Sequence, residues 1–142
     1  MKKIIYLIFI FGLLGLLISG YLSYEYSQPS AIGCPIGGQS CQTVRVSPYS
    51  SLFGISVPFI GIFFYLAVST MAVLTLEKEM VKKLLFILTL GGFIFSIYLT
   101  ALEAFVIHAF CFWCILSALI SSLIFVLSWA LLKLKSSVKI TE

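Results

Sequence analysis

Residues 84–132 read LLFILTLGGFIFSIYLTALEAFVIHAFCFWCILSALISSLIFVLSWALL, the longest apolar segment of the chain. Only Glu103 carries a formal charge among these 49 residues. A single helix of that length would be about 70 Å long, more than twice the roughly 30 Å of a hydrocarbon core. The segment therefore predicts two membrane-spanning helices joined by a tight turn near residues 108–113, where a histidine, two cysteines and aromatic residues suit an interface.

Two upstream segments are also long and apolar enough to cross a membrane. Residues 4–24 contain no charged residue, and residues 53–76 are likewise uncharged. Ser19 and Gly20 leave a cleaved signal peptide as an alternative for the first segment, but its apolar stretch is long for such a peptide. We therefore predict that both segments are transmembrane helices.

The composition also indicates a membrane protein. Hydrophobic residues make up 61% of the chain and charged residues only 10%, which is too little polar surface for a soluble globule of this size. The net charge of +4 does not indicate a nucleic-acid partner, because no basic stripe is interleaved with aromatic residues. We expect one all-α membrane domain over residues 1–142, a four-transmembrane-helix bundle with helices at about 4–24, 53–76, 84–107 and 111–132.

Residues 25–52, between the first two predicted helices, form the one substantial loop, rich in proline and glycine. All eight lysines fall on one side of this four-helix arrangement, and only Arg45 falls on the other. Because basic residues concentrate in cytoplasmic segments, we expect a multi-pass protein of the cell membrane with both termini in the cytoplasm. The loop and the turn near residues 108–113 are then extracytoplasmic, so all four cysteines share the compartment in which disulfides persist.

Cys111 and Cys114 have the CxxC spacing of readily reversible disulfides. At the start of the fourth predicted helix, unsatisfied backbone amides favour the thiolate that thiol–disulfide exchange requires. A structural bridge is the alternative, but a bond across so short a loop gains little entropy. Ile115 stands where a c-type haem motif has histidine, which excludes that cofactor.

Cys34 and Cys41 form a second pair, on the loop. The glycine-containing stretch between them could bring one sulfur toward a soluble partner and the other toward the membrane, as a shuttle does. A static clip is the alternative, and the presence of the CxxC pair favours the shuttle. A four-cysteine zinc site usually has two CxxC pairs, so we expect no metal.

Glu103 and Trp113 are further candidate site residues. Intramembrane carboxylates are usually functional, and for Glu103 both proton handling and a polar tie to a neighbouring helix are open. A small proton-coupled transporter centred on Glu103 is an alternative of another class. Trp113 and nearby aromatic residues offer flat apolar surface for a quinone, although an interfacial aromatic belt has the same composition.

Together these motifs resemble the vitamin K epoxide reductase family in its microbial form. The resemblance covers nearly the whole chain and rests on the two cysteine pairs, the segment CQTVRVS at residues 41–47, and the stretch from Gly54 to Pro58 at the start of the second span. It implies a four-helix bundle around a quinone, with the CxxC pair beside the quinone ring. It also implies a loop pair that relays electrons from a thioredoxin-like partner.

The resemblance implies a role for each cysteine. Cys34 corresponds to the loop cysteine attacked by the partner, Cys41 to the one that exchanges with Cys111, and Cys114 to the quinone-facing sulfur. Ser47 matches the loop serine or threonine of the family, which makes it a supporting residue of the quinone site.

We therefore expect a quinone-dependent thiol oxidoreductase that supports disulfide bond formation, similar in function to the bacterial disulfide-forming membrane oxidase. Its electron acceptor would be a menaquinone, ubiquinone or vitamin K type quinone. Reduction of such a quinone or its epoxide for its own sake is the alternative. Ala118 stands where animal enzymes have tyrosine, which argues against the epoxide, and the absence of a thioredoxin-like domain after Lys139 implies a separate extracytoplasmic partner.

Overall fold

The computed structural model of the protein describes residues 1–30, 33–36 and 38–140, with side chains through Leu134. Gly37 of the loop and the side chains of Lys135 and Lys139 lie outside this description. The helices are α1 (Lys2–Ser27), α2 (Ser40–Val46), α3 (Val57–Leu74), α4 (Glu79–Leu102), which continues into a π-helical turn (Glu103–Ile107), and α5 (Phe112–Ile140).

Four of these helices, all except α2, are long and apolar enough to cross a membrane. They pack around a narrow core to which each contributes a fully buried aliphatic side chain: Ile8, Val68, Leu85 and Ile124. Large apolar side chains on the outer faces remain exposed, among them Leu17, Phe63, Ile87 and Leu119. Exposed apolar surface of this extent on every long helix suits contact with lipid. The predicted all-α bundle of four membrane-length helices is confirmed.

Small residues allow α1 and α3 to approach closely. Gly12 of α1 faces the side chain of Ser69, and Gly15 faces the ring of Tyr65. A Cβ atom at either glycine would overlap the facing side chain. Close packing through small residues is the usual way in which membrane helices associate, because burial from water does not drive their contact.

The start of α3 differs from the predicted boundary at residue 53. A two-residue strand β1 (Ser51–Leu52) pairs antiparallel with β2 (Ile55–Ser56), and α3 begins only at Val57. Phe53 and Gly54 connect the strands with φ angles of 53° and 81°. Positive φ at both central residues is the geometry of a tight hairpin turn, which a helix cannot contain.

The predicted loop at residues 25–52 contains more helical structure than its proline and glycine content indicated. The helix α1 extends to Ser27, and α2 occupies the second half of the loop. A 3-10 turn at Pro48–Ser50 then leads to the hairpin. This arrangement holds Cys41 on a helix rather than on an irregular segment.

A sharp turn separates α4 from α5. The π-helical turn ends at His108, which adopts a left-handed conformation with a φ of 53°. The backbone N–H groups of His108 and Ala109 both donate to the carbonyl oxygen of Glu103, which closes the end of the helix. The carbonyl oxygen of Cys111 accepts the first bond of α5, from the N–H of Ile115 at 3.0 Å. The CxxC motif therefore opens the last helix, as the sequence predicts.

Candidate functional site

The four cysteines lie in one cluster where α2 meets the turn between α4 and α5. Cys41, Val44 and Cys111 form its buried centre, and Cys34 and Cys114 pack against it. Residues that are far apart in the sequence thus form one site. One cysteine of each pair, Cys41 and Cys111, lies in the buried centre of this cluster.

The loop pair is oxidised. Cys34 and Cys41 form a disulfide with a Cα–Cα distance of 5.9 Å. Cys41 is completely buried beside Cys111, whereas Cys34 is only partly buried. The disulfide therefore has an inner sulfur that faces the CxxC pair and an outer sulfur that solvent reaches.

The CxxC pair is reduced: among the described residues, Cys111 and Cys114 are the free thiols. A hydrogen bond from the thiol of Cys114 lowers the pKa of Cys111 below its ordinary value; burial opposes this shift, and the N–H groups of Cys114 and Trp113 support it. Stabilisation of the thiolate makes a cysteine a better leaving group when a disulfide to it is broken. Cys111 is thus the CxxC sulfur better prepared for exchange with the loop pair.

Glu103 is buried next to the CxxC pair, with only 4% of its surface exposed. Its carboxylate Oε2 accepts a hydrogen bond of 3.1 Å from the backbone N–H of Cys111. Glu103 and Cys114 both line the same cavity, described below. Glu103 therefore ties the end of α4 to the start of α5 and lies beside the CxxC pair.

A cavity of about 520 Å³ lies between the four long helices. Its wall is mostly apolar, with a polar region that includes Cys114, Glu103 and Ser47. Within the described chain, Cys111 does not line the cavity. The two CxxC sulfurs consequently face different surroundings: Cys111 faces the loop pair, and Cys114 faces the cavity.

Ser47 lies at the cavity wall, at the end of α2. Its hydroxyl donates a hydrogen bond of 2.7 Å to the carbonyl oxygen of Val44. The backbone N–H of Ser47 donates to the same carbonyl oxygen at 3.3 Å, so two bonds from one residue close the end of α2. Ser47 thus stabilises the end of the helix that carries Cys41, and its oxygen remains able to accept a bond from the cavity side.

Trp113 contacts the loop. Its Nε1–H donates a hydrogen bond of 3.2 Å to the carbonyl oxygen of Gly33, and its ring packs against Tyr21 at a centroid distance of 5.2 Å. Trp113 is not among the cavity-lining residues in the part of the chain that the structure describes. Because Gly33 precedes Cys34, this placement favours a role in holding the loop disulfide against the CxxC pair.

The sequence interpretation used Arg45 only for topology, and the structure gives it a second role. Its guanidinium donates hydrogen bonds to the carbonyl oxygens of Ser30 at 2.7 Å and Tyr26 at 3.1 Å, and also to that of Gln28. One side chain thus joins α2 to the end of α1. The available sequence signal was that Arg45 is the only basic residue in the loop, four residues after Cys41.

Tyr65 and Ser117 were also missed. The hydroxyl of Tyr65 donates to the carbonyl oxygen of Ser117 at 2.9 Å and lies 2.7 Å from the hydroxyl of Ser117. Both residues line the cavity. Ser117 follows Cys114 by three residues, a spacing that indicates a shared helix face, but its partner on α3 is distant in the sequence.

Comparison with known proteins identifies one matching family. The sequence model of the vitamin K epoxide reductase family matches residues 6–129, which is most of the chain and includes all four cysteines. No curated protein matches the chain.

Proposed function

Because the chain belongs to the vitamin K epoxide reductase family, we propose that it is a quinone-dependent thiol oxidoreductase that supports disulfide bond formation. The predicted family is confirmed, and membership makes the chain a multi-pass membrane oxidoreductase of thiols linked to quinones. The proposal adds the direction of electron flow, the partner and the role of each cysteine. It treats residues 1–142 as one domain with both termini in the cytoplasm and the cysteines outside it.

The observation that carries the proposal is the division between the CxxC sulfurs. Cys114 lines the cavity, whereas Cys111 lies in the buried cluster with Cys41. A relay needs one sulfur that accepts electrons from the loop pair and one that delivers them to the acceptor. The arrangement supports Cys111 for the first step and Cys114 for the second.

The cycle begins at the loop disulfide. A thiolate of a separate thioredoxin-like partner attacks Cys34, the more exposed sulfur, and Cys41 leaves as a thiolate. The second thiolate of the partner attacks its own sulfur in this mixed disulfide and releases Cys34. The partner departs with a disulfide, and the loop pair has gained two electrons.

The electrons then pass to the CxxC pair. The thiolate of Cys41 attacks Cys111 in the oxidised CxxC pair, which releases Cys114. Cys34 next attacks Cys41, which releases Cys111 and restores the loop disulfide. The product has a loop disulfide and two CxxC thiols, which is the redox state described above.

The last step transfers two electrons and two protons from the CxxC thiols to a quinone, which becomes a quinol, and a disulfide forms between Cys111 and Cys114. The net reaction converts partner dithiol and quinone into partner disulfide and quinol. Glu103, which lines the cavity together with Cys114, takes the proton of the Cys114 thiol and passes it to the quinone, so that both thiol protons end on the quinol. The cavity suits the acceptor, because its volume and largely apolar wall are typical of small-molecule sites.

The test is an assay with the full-length protein in lipid, a reduced extracytoplasmic thioredoxin-like protein and a menaquinone analogue. We expect one quinone to be reduced for each partner disulfide formed, followed by quinone absorbance and by thiol titration. Partner protein with alkylated cysteines is the control for direct reduction. Equal quinone reduction by a variant with all four cysteines changed to serine, or none by the native chain, would contradict the proposal.

A further inference from the structure

Ser121 has a buried hydroxyl that the relay described above does not use. The residue is 2% exposed, and its Oγ has no hydrogen-bond partner within residues 1–30, 33–36 and 38–140. It lines the cavity, deeper along α5 than Cys114. A buried hydroxyl without a partner costs free energy that a bound acceptor would recover.

The neighbouring residue Ser122 shows how a serine in an apolar helix usually avoids this cost. Its hydroxyl donates to the carbonyl oxygen of Ala118, four residues earlier, at 2.8 Å. Ser121 makes no such bond to its own helix. The hydrogen-bonding capacity of its hydroxyl is therefore unused within the described residues.

The position of Ser121 relative to Cys114 indicates what it would bind. Seven residues separate them, which is two turns of α5 and about 10.5 Å along one face. Ser117 lies between them on this face, and its hydroxyl is already paired with Tyr65. An occupant whose reactive edge lies at Cys114 would reach Ser121 with its opposite edge.

We propose that Ser121 binds the quinone carbonyl oxygen that lies farther from Cys114. A hydroxyl can donate a hydrogen bond to the carbonyl of the quinone and accept one from the hydroxyl of the quinol. The same side chain therefore suits both redox forms, as a site that takes in one form and releases the other requires. This inference rests on the proposed quinone activity.

Ser128 and Ser122 provide matched controls. Ser69 and Ser128 are also buried without a hydrogen-bond partner in the described part of the chain. Neither lines the cavity, so loss of the Ser128 hydroxyl tests the effect of removing a buried oxygen from α5 alone. Ser122→Ala tests the loss of a hydroxyl next to Ser121.

The experiment measures binding of a short-tailed 1,4-naphthoquinone to the full-length protein in detergent by quenching of tryptophan fluorescence, together with KM and kcat. We expect Ser121→Ala to weaken binding and to raise KM by about five- to tenfold, the effect of one neutral hydrogen bond. Turnover should change little. Ser122→Ala and Ser128→Ala should bind as the native chain does, and Ser121→Thr should restore binding.

A hydrocarbon probe, 2-methylnaphthalene, separates hydrogen bonding from cavity shape. The native chain and Ser121→Ala should bind it equally, because it has no carbonyl oxygen. Equal quinone affinity in the native chain and Ser121→Ala would overturn this inference and leave the proposed function intact. If Ser121→Ala weakened binding of the hydrocarbon as much as binding of the quinone, the inference about Ser121 would also be overturned. A native chain that binds no quinone would overturn both this inference and the proposed function.

Discussion

The carboxylate of Glu103 accepts a hydrogen bond of 3.1 Å from the backbone N–H of Cys111, across the turn between α4 and α5. The same residue lines the cavity together with Cys114. One buried group thus positions the first cysteine of the CxxC pair and shares the cavity wall with the second. The sequence alone left a structural tie and proton handling open for Glu103, and this geometry allows it to do both.

Substitutions of Glu103 should separate the two roles. Glu103→Ala leaves the N–H of Cys111 without its acceptor and should lower the free energy of unfolding by about 1–3 kcal/mol. Glu103→Gln keeps an acceptor oxygen but cannot take up a proton, so stability should be largely retained while kcat for quinone reduction falls about 100-fold. Thermal unfolding in detergent and stopped-flow quinone reduction by pre-reduced protein measure these effects. If Glu103→Gln reduced quinone at the native rate, proton transfer by Glu103 would be excluded, and only its bond to the N–H of Cys111 would remain as its role.

Exposure of the loop sulfurs predicts which one a partner attacks. Cys34 is partly exposed and Cys41 is fully buried. Cys41→Ser removes the resolving thiol and should trap a mixed disulfide between Cys34 and a thioredoxin-like partner. Non-reducing electrophoresis and mass spectrometry would identify the adduct. Stable adducts through Cys41 in the Cys34→Ser variant would reverse the proposed order.

The cavity position of Cys114 predicts different defects for the two CxxC variants. Cys111→Ser should stop electron arrival from the loop pair but leave the Cys114 thiolate able to produce a visible absorption band with added quinone. Cys114→Ser should abolish that band. Spectra of both variants before and after quinone addition provide the measurement. A band that persists only in Cys114→Ser would assign the terminal step to Cys111.

The contacts of Arg45 predict a role in placing the loop pair. Lysine cannot reproduce the planar fork that bonds several carbonyl groups, so Arg45→Lys should loosen the attachment of α2, Ser40–Val46, to the end of α1. Hydrogen exchange in this segment should accelerate, and electron transfer from the loop pair to the CxxC pair should slow about tenfold or more. The rate at which protein with a pre-reduced CxxC pair reduces quinone should be the same in this variant as in the native chain. Thr43→Ala, which removes a bond only within the α2 region, is the control.

The proposed topology predicts labelling from outside intact cells. After reduction with a membrane-impermeant phosphine, Cys34 should react with an impermeant maleimide, because the lysine distribution favours an extracytoplasmic loop. A cysteine introduced at Lys78, between α3 and α4, should react only after the membrane is permeabilised. If the cysteine at position 78 reacted from outside and Cys34 reacted only after permeabilisation, the topology would be the reverse of the proposed one.

The sequence by itself determined the four membrane-length helices and the CxxC motif at the start of the last one. Segment length and charge content are local properties, so residues 84–132 had to form two helices. The boundary of α3 was less predictable, because Leu52, Phe53 and Ile55 are apolar enough for a span but form a hairpin. Hydropathy measures only apolar content, so it cannot show the backbone conformation that keeps these residues out of the helix.

Only the tertiary structure shows how the surroundings of the two CxxC cysteines differ. Cys111 and Cys114 are three residues apart, yet Cys111 lies in the buried cluster with Cys41 and Cys114 lines the cavity. The partners of Arg45 and the pairing of Tyr65 with Ser117 likewise join elements that are distant in the sequence. Such contacts depend on the rotation and spacing of whole helices, which local sequence patterns do not specify.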